Sequence, residues 1–255
     1  MLPLAHTYIN FKLTGRKTPA LIVGGILPDI SSTSDEKLPR NLLHNDPERF
    51  YAFVSAKYPQ LLPLALGVVW HSQINHGADF YSDNHQTGYA YRLGRSLVTA
   101  VAKLLKREPD DVSAVLAHKF IEAGVDLNLS QNQPEILALY RASVEAIDRR
   151  QVAQCLSDYF AVSSETAKQS LDKLLSILAP KNFISADPLV TGAILPLIKI
   201  RQKQDVEAAL TLELVKRGVS LTTSTYLEFL NTTVENMRRD FAKYLIHKNV
   251  GVGKA

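Results

Sequence analysis

Apolar residues recur at intervals of three and four along almost the whole chain, the pattern of amphipathic helices that face a core. No stretch shows the strict alternation of a half-buried strand, and no hairpin-turn pair joins two apolar runs. The pattern therefore predicts an all-α protein. The predicted helices cover about 4–13, 19–28, 46–57, 64–80, 94–106, 110–124, 134–149, 150–160, 165–178, 188–204, 206–217 and 223–247.

No linker cleanly divides the chain, which predicts a single helical domain over residues 1–255. The polar stretch 128–134 is the one candidate boundary. It separates a first half, 1–130, that holds the chemically unusual residues from a second half, 131–255, that is typical of plain helical packing. The longest apolar runs, such as 19–27 and 61–70, are too short to span a bilayer.

Composition narrows the class of protein. Hydrophobic residues make up 46% and charged residues 21%, as in ordinary globular proteins. The net charge of +4 suits a phosphate-bearing substrate but gives no strong indication of nucleic-acid binding. The single cysteine, Cys155, excludes an intrachain disulfide and a multi-thiolate metal site. The first residues lack the features of a secretory signal, so we expect a soluble cytoplasmic protein.

Histidines are concentrated in the first half: of seven, six lie at or before position 118. His118 and Glu122 are four residues apart on a predicted helix, so both side chains lie on one face and can share a metal ion. The alternative is an exposed pair on a solvated face.

A second candidate set lies at the polar end of the predicted helix 64–80. His71, Asn75 and Asp79 recur at four-residue steps and would share one face, with His76 farther round the helix. Burying so many polar groups is unfavourable unless partners or a metal satisfy them. The alternative is a helix that leaves the core at its polar end, so that these side chains are exposed to solvent.

Two further residues are weaker candidates when taken alone. Asp29 follows Pro28 at a rigid corner after an apolar helix, although an aspartate before a loop is ordinary. His44 lies just before a predicted helix start, where a surface residue is the simpler interpretation.

Together these motifs resemble the zinc-dependent phospholipase C family over residues 4–126. The resemblance rests on their order: His6, Gly24-x-x-x-Pro28-Asp29, His44, Gly67-x-x-x-His71-x-x-x-Asn75 and His118-x-x-x-Glu122. That family includes bacterial phospholipases C and the catalytic domain of a glycosylphosphatidylinositol-specific phospholipase D. It is more distantly similar to P1-type nucleases.

The resemblance implies a multi-helix bundle like that of phospholipase C and P1 nuclease, here with extra C-terminal helices, and a cleft that holds one to three zinc ions. The implied activity is hydrolysis of a small-molecule or lipid phosphodiester, and other divalent metals also suit such donors. The implied ligands are His6, Asp29, His44, His71, His118 and Glu122, with Asp29 also bridging metals or acting as general base. Asn75 stands where the family has aspartate, and Asp79, one turn later, is added to the ligand set in compensation.

Two alternatives remain open. Asp79, Asp83 and His85 are similar to a motif of acyl carrier protein phosphodiesterases, which resemble helical HD-type phosphohydrolases, and this interpretation moves the site toward those residues. A polar helix exit is the simpler explanation of Asp83 and His85. The second alternative, prompted by Asn75, is a non-catalytic helical protein with a partly lost metal site. The sequence does not indicate an oligomeric state.

Overall fold

The computed structural model describes residues 2–33, 38–39 and 42–247. The structure is 80% helical, and the described residues contain no strand, so the all-α prediction is confirmed. The α-helices are α1 Pro3–Thr14, α2 Pro19–Gly24, α3 Ile30–Thr33, α4 Leu42–Asn45, α5 Pro47–Lys57, α6 Leu62–His71, α7 Ala78–Asp83, α8 Tyr89–Gly94, α9 Val98–Leu104, α10 Asp111–Asn132, α11 Pro134–Ala146, α12 Arg149–Phe160, α13 Ser164–Ile177, α14 Ala186–Leu189, α15 Leu195–Gln202, α16 Ala208–Thr222 and α17 Tyr226–His247. A π-helical segment, Val190–Ile194, joins α14 to α15, and short 3₁₀ turns include Leu27–Asp29. Within the described residues, no helix is both long and apolar enough to cross a membrane.

Local capping explains why several predicted boundaries agree with the structure. α1 ends at Gly15, which adopts the left-handed conformation (φ 67°) that glycine accepts without a steric penalty. The Asp46 side chain accepts a hydrogen bond from the backbone N–H of Arg49 and so caps α5. Asp110 caps α10 in the same way by accepting from the N–H of Ser113.

Helix α10 is the central element, since it packs against α1, α8, α9, α11 and α16. Its crossing with α16 is close because two glycines meet there: a Cβ on Gly124 would lie 2.3 Å from the carbonyl oxygen of Gly218. The two backbones therefore touch, and α10 is held firmly in the middle of the molecule. The candidate site residues on α10, His118 and Glu122, therefore have a fixed position.

The candidate boundary at 128–134 contains the end of α10, which continues to Asn132, and the start of α11 at Pro134. Asn128 is polar but buried, and its amide donates to the carbonyl oxygens of Gly124 and Val219 and to Thr222 Oγ1. The Asn128 side chain therefore joins α10 to α16 by hydrogen bonds. The hydrophobic core is one cluster that draws side chains from both halves of the chain.

The predicted long helix 64–80 is also wrong, since α6 ends at His71 and α7 begins at Ala78. Between them His76 adopts a left-handed backbone (φ 54°), and Gly77 lies so close to Trp70 that a Cβ there would be 2.5 Å from the Trp70 carbonyl oxygen. Ser72 Oγ donates to the carbonyl oxygen of His44, which ties the turn to α4. The turn reverses the chain at the polar end of α6.

The segment 30–40 was predicted to be a loop, but its first residues form the short helix α3. Residues 34–37 and 40 of that prediction lie outside the described residues.

Candidate metal centre

The site begins with the anchoring of α1. Asp126 on α10 accepts hydrogen bonds from the backbone N–H groups of Leu4 (2.8 Å) and Ala5 (2.9 Å). Side-chain carboxyl oxygens at a helix N-terminus satisfy donors that have no intrahelical partner. This contact fixes the first turn of α1 against α10 and thereby places His6 in the molecule's interior.

His6, His71 and Asp79 form the first cluster of candidate metal ligands. Asp79 Oδ1 lies 3.4 Å from His6 Nε2, and Asp79 Oδ2 lies 3.0 Å from His71 Nε2. The two imidazole rings stack with their centroids 4.2 Å apart. All three side chains are buried, and their donor atoms lie within 4.8 Å of one another.

A hydrogen bond fixes the tautomer of His71. Its Nδ1 lies 2.7 Å from the carbonyl oxygen of Gly25, and because a carbonyl only accepts, Nδ1 must carry the proton. The lone pair of a neutral His71 is then on Nε2, directed at Asp79. Histidines that ligate metals commonly donate their other N–H to such an oxygen.

Two nitrogen atoms of the first cluster have no hydrogen-bond partner among the protein groups of the described residues. His6 Nε2 and His71 Nε2 are buried and make no hydrogen bond within the described residues, although each faces an oxygen of Asp79. Burial lowers the pKa of His6 to about 4, so its imidazole is neutral near pH 7. Burial also disfavours protonation of His71, but the Asp79 carboxylate outweighs this and raises its pKa. Imidazole nitrogens and a carboxylate oxygen facing each other suit a divalent cation such as zinc.

Asp83, His118 and Glu122 form a second cluster, with donor atoms again within 4.8 Å of one another. His118 Nε2 lies 3.5 Å from Glu122 Oε1 and 3.7 Å from Asp83 Oδ2. The His118 ring stacks on Tyr91 with a centroid distance of 4.4 Å, and neither of its nitrogens makes a hydrogen bond within the described residues. Burial lowers the pKa of His118 to about 3, and burial acts to raise the pKa of Glu122 while the neighbouring Lys119 ammonium acts to lower it.

Lys119 reaches into the second cluster from the neighbouring position on α10. Its Nζ lies 2.9 Å from Glu122 Oε2 and 3.5 Å from Asp83 Oδ2. Burial disfavours the charged lysine, but the Glu122 and Asp83 carboxylates outweigh this and raise its pKa. The second cluster therefore already contains a positive charge.

Asp29 and His44 lie beside the clusters, with 3.9 Å between Asp29 Oδ1 and His44 Nε2. The His44 ring contacts the His71 ring edge-on at a centroid distance of 4.7 Å. Burial acts to raise the pKa of Asp29, but the nearby imidazoles outweigh it and lower that pKa. Arg201 on α15, in the second half of the chain, has a guanidinium nitrogen 3.9 Å from Asp29 Oδ1.

These groups line one polar cleft of about 460 Å³. Its wall includes Asp29, His44, Asp79, Asp83, Lys119 and Arg201. Carboxylates, an imidazole and two cations therefore face a common space that is large enough for a small phosphorylated group.

Comparison of this chain with protein-family profiles, with curated proteins and with solved structures gave no match. The chemistry of the cleft is therefore inferred from its own residues.

The structure brings the predicted site residues together. The first cluster contains His6, His71 and Asp79, the second contains His118 and Glu122, and Asp29 and His44 lie alongside. The i, i+4 pair on α10 has the predicted helical geometry.

Other expectations about the site are corrected. Asn75 does not share a helix face with His71, because it lies in the turn between α6 and α7. His76 is exposed and contacts Asp240, with 3.2 Å between His76 Nδ1 and Asp240 Oδ2. His85 is exposed too, and its ring stacks on Tyr91. None of these three side chains joins either cluster.

Sequence reasoning gave too little weight to Asp83, for which it favoured a polar helix exit. The Asp79-x-x-x-Asp83 spacing was the available indication, because both aspartates lie on α7 and point into the cleft from consecutive turns. It missed the roles of Lys119 and Arg201 entirely. No sequence motif marks either residue, because Lys119 is a single lysine beside a histidine and Arg201 lies on an amphipathic helix far along the chain.

Proposed function

We propose that this protein is a metal-dependent hydrolase, zinc being the favoured ion, that cleaves a phosphodiester in the manner of the phospholipase C family it resembles. The observation that carries the proposal is the first cluster. Two buried imidazole nitrogens, neither hydrogen-bonded within the described residues, face the two oxygens of one carboxylate at 3.4 and 3.0 Å. A bound cation would satisfy both nitrogens, and the carboxylate would balance its charge.

In this proposal His6, His71 and Asp79 hold the metal. A bound zinc ion supplies Lewis acidity to a phosphoryl oxygen and lowers the pKa of a water molecule. Lys119 and Arg201 lie on the wall of the cleft and stabilise the negative charge of the phosphate.

Asp29 is the proposed general base. Burial acts to raise its pKa, but the nearby imidazoles together with the Lys119 and Arg201 charges outweigh this and lower it, so its carboxylate is ionised at neutral pH and accepts a proton from the attacking water. Water oxygen bonds to phosphorus, the ester P–O bond breaks, and the departing alkoxide takes a proton from solvent. His44, 3.9 Å from Asp29, lies beside the carboxylate and adds a third imidazole near the reacting atoms.

The surroundings of the cleft favour a substrate that carries an apolar group beside its phosphate. An apolar recess adjoins the cleft and shares Asp29, Lys119 and Arg201 with it. Its lining includes Leu116, Phe120, Leu174 and Ile198. The recess measures about 40 Å³, so it would hold only a small apolar group next to the phosphate, such as the start of a lipid chain, whereas a wholly polar diester would use the cleft alone.

A second candidate is a hydrolase similar to the acyl carrier protein phosphodiesterases. One observation favours it: Asp79 and Asp83 both line the cleft from α7. His85, the third member of that motif, instead stacks on Tyr91 away from both clusters. The two candidates share the reaction class and differ in the group that leaves.

Metal content and activity test the proposal together. Protein purified without chelator should contain zinc and hydrolyse bis-p-nitrophenyl phosphate, and His71→Ala should lose both. His76→Ala is the matched control, because this histidine is exposed and belongs to neither cluster, and it should retain both. Trace zinc that does not rise on adding zinc would contradict the metal site. A metal-loaded protein that stays inert with zinc, manganese and iron would support a non-catalytic metal-binding protein instead.

A further inference from the structure

Lys119 lies where a second metal ion would have to bind. Its Nζ is 3.0 Å from Glu122 Oε1, 2.9 Å from Glu122 Oε2 and 3.5 Å from Asp83 Oδ2. The lysine side chain is only 21% exposed, and the Glu122 side chain is 1% exposed. The ammonium group therefore sits between the two carboxylates of the second cluster and is largely shielded from water.

A metal ion in that cluster would bind the same oxygens. Zinc–carboxylate bonds are about 2.1 Å long, so an ion on the Glu122 carboxylate and an ammonium about 3 Å from it would be at most roughly 5 Å apart. At that separation in a shielded site, a divalent ion and an ammonium repel each other strongly. Both cations would also compete for the same lone pairs.

His118 is the donor that the lysine cannot satisfy. It is 4% exposed, and neither nitrogen makes a hydrogen bond within the described residues. The Lys119 ammonium donates to Glu122 and Asp83 rather than to His118, so it replaces the charge of an ion but leaves the imidazole lone pair that a metal would use.

We propose that Lys119 is a built-in cation that occupies the Asp83–His118–Glu122 cluster, so that a metal ion binds there only when the ammonium is removed. The inference rests on the proposed metal chemistry for the identity of the competing ion. If so, the site holds one metal ion at the first cluster and one fixed positive charge, the Lys119 ammonium, on the cleft wall. A phosphate in the cleft then meets both.

Metal stoichiometry tests this directly. Wild type, Lys119→Met, Lys119→Arg and the exposed-lysine control Lys103→Met are each loaded with zinc, desalted and analysed by inductively coupled plasma mass spectrometry. We expect Lys119→Met to contain about one zinc per chain more than wild type, and Lys119→Arg and Lys103→Met to match wild type. Adding His118→Ala to Lys119→Met should remove the gained ion.

The outcomes separate the two proposals. Equal zinc in wild type and folded Lys119→Met overturns the role of Lys119, as does a wild type that already fills both clusters. Wild type without zinc, combined with a gain in Lys119→Met, overturns the metal at the first cluster but supports the lysine.

If Lys119→Met does not fold, anomalous diffraction from zinc-soaked wild-type crystals decides the question. One peak at His6, His71 and Asp79, with Lys119 still bonded to Glu122, supports the inference. A peak between Asp83, His118 and Glu122 with the lysine in place overturns it.

Discussion

His71 Nδ1 donates a hydrogen bond to the carbonyl oxygen of Gly25 over 2.7 Å, and this contact joins the close packing of two helices to the candidate metal centre. α2 and α6 touch backbone to backbone: a Cβ on Gly24 would lie 2.1 Å from the Leu64 carbonyl oxygen, and one on Gly67 would lie 2.4 Å from that of Leu21. Only glycine permits such an approach. The approach brings the Gly25 carbonyl within reach of His71 and so directs Nε2 toward Asp79.

Gly67→Ala should therefore weaken metal binding as well as stability. The added methyl meets backbone that cannot rotate away, so α6 must shift from α2 and lengthen the His71–Gly25 hydrogen bond. We expect a loss of about 1–3 kcal/mol in unfolding free energy. We also expect a tenfold or greater fall in zinc affinity, measured by competition with a chromophoric chelator. A destabilised protein with unchanged zinc affinity would show that the hydrogen bond does not tune the metal centre.

Arg201→Met should impair substrate binding without removing metal. Arg201 approaches Asp29 at 3.9 Å on the cleft wall and touches neither cluster, so its loss removes a positive charge that faces the phosphate. We expect KM for bis-p-nitrophenyl phosphate to rise about tenfold, or kcat/KM to fall by that factor, with unchanged zinc content. Arg150→Met changes an exposed arginine far along the chain and should leave the kinetics unaltered. Identical kinetics in both variants would remove Arg201 from the site.

Removing the metal should lower thermal stability. A ligand that binds the native state alone stabilises it by RT ln(1 + [L]/Kd), which is about 2.7 kcal/mol at a hundredfold excess over Kd. Excess chelator should therefore lower the Tm of wild type by several degrees, and returning zinc should restore it. His76→Ala should respond in the same way, whereas His71→Ala should respond little. An equal chelator response in His71→Ala and wild type would place the bound metal elsewhere.

Asp126 should make stability depend on pH. Burial raises its pKa from 3.8 to about 7, although the N–H groups of Leu4 and Ala5 favour the charged form. Between about pH 4 and 7 the native carboxyl holds a proton that the unfolded chain has released. This contribution to the unfolding free energy is therefore present at the low end of that range and is lost as pH rises through the folded pKa.

Urea unfolding of metal-free wild type and Asp126→Asn at several pH values measures this effect. The asparagine does not titrate, so the stability of wild type relative to the variant should fall between pH 5 and 8 by about 1 kcal/mol or more. All other titrating groups are shared and cancel in the comparison. Parallel stability curves would show that Asp126 is already ionised throughout this range.

The candidate site was predictable where its residues lie within one regular element. His118 and Glu122 meet because four residues make about one turn of α10, and that periodicity is visible in the sequence. His71 and Asp79 were placed on one helix, yet they meet through a turn that reverses the chain between α6 and α7. The expected proximity holds but its reason differs. Gly77 packs against the Trp70 carbonyl in three dimensions, and a hydropathy pattern does not record such a contact.

The order of the motifs and the family resemblance supplied the candidate ligands other than Asp83, whereas the sequence pattern by itself determined the all-α class and most helix positions. These follow from hydrophobic periodicity and capping, which act over a few residues. Only the tertiary structure decided that Lys119 lies between Asp83 and Glu122, and that Arg201 from the second half of the chain enters the cleft. Such contacts join residues far apart in sequence and depend on the angles at which helices pack. One example is the close crossing of α10 and α16 at Gly124 and Gly218, which the hydrophobic periodicity of the sequence does not reveal.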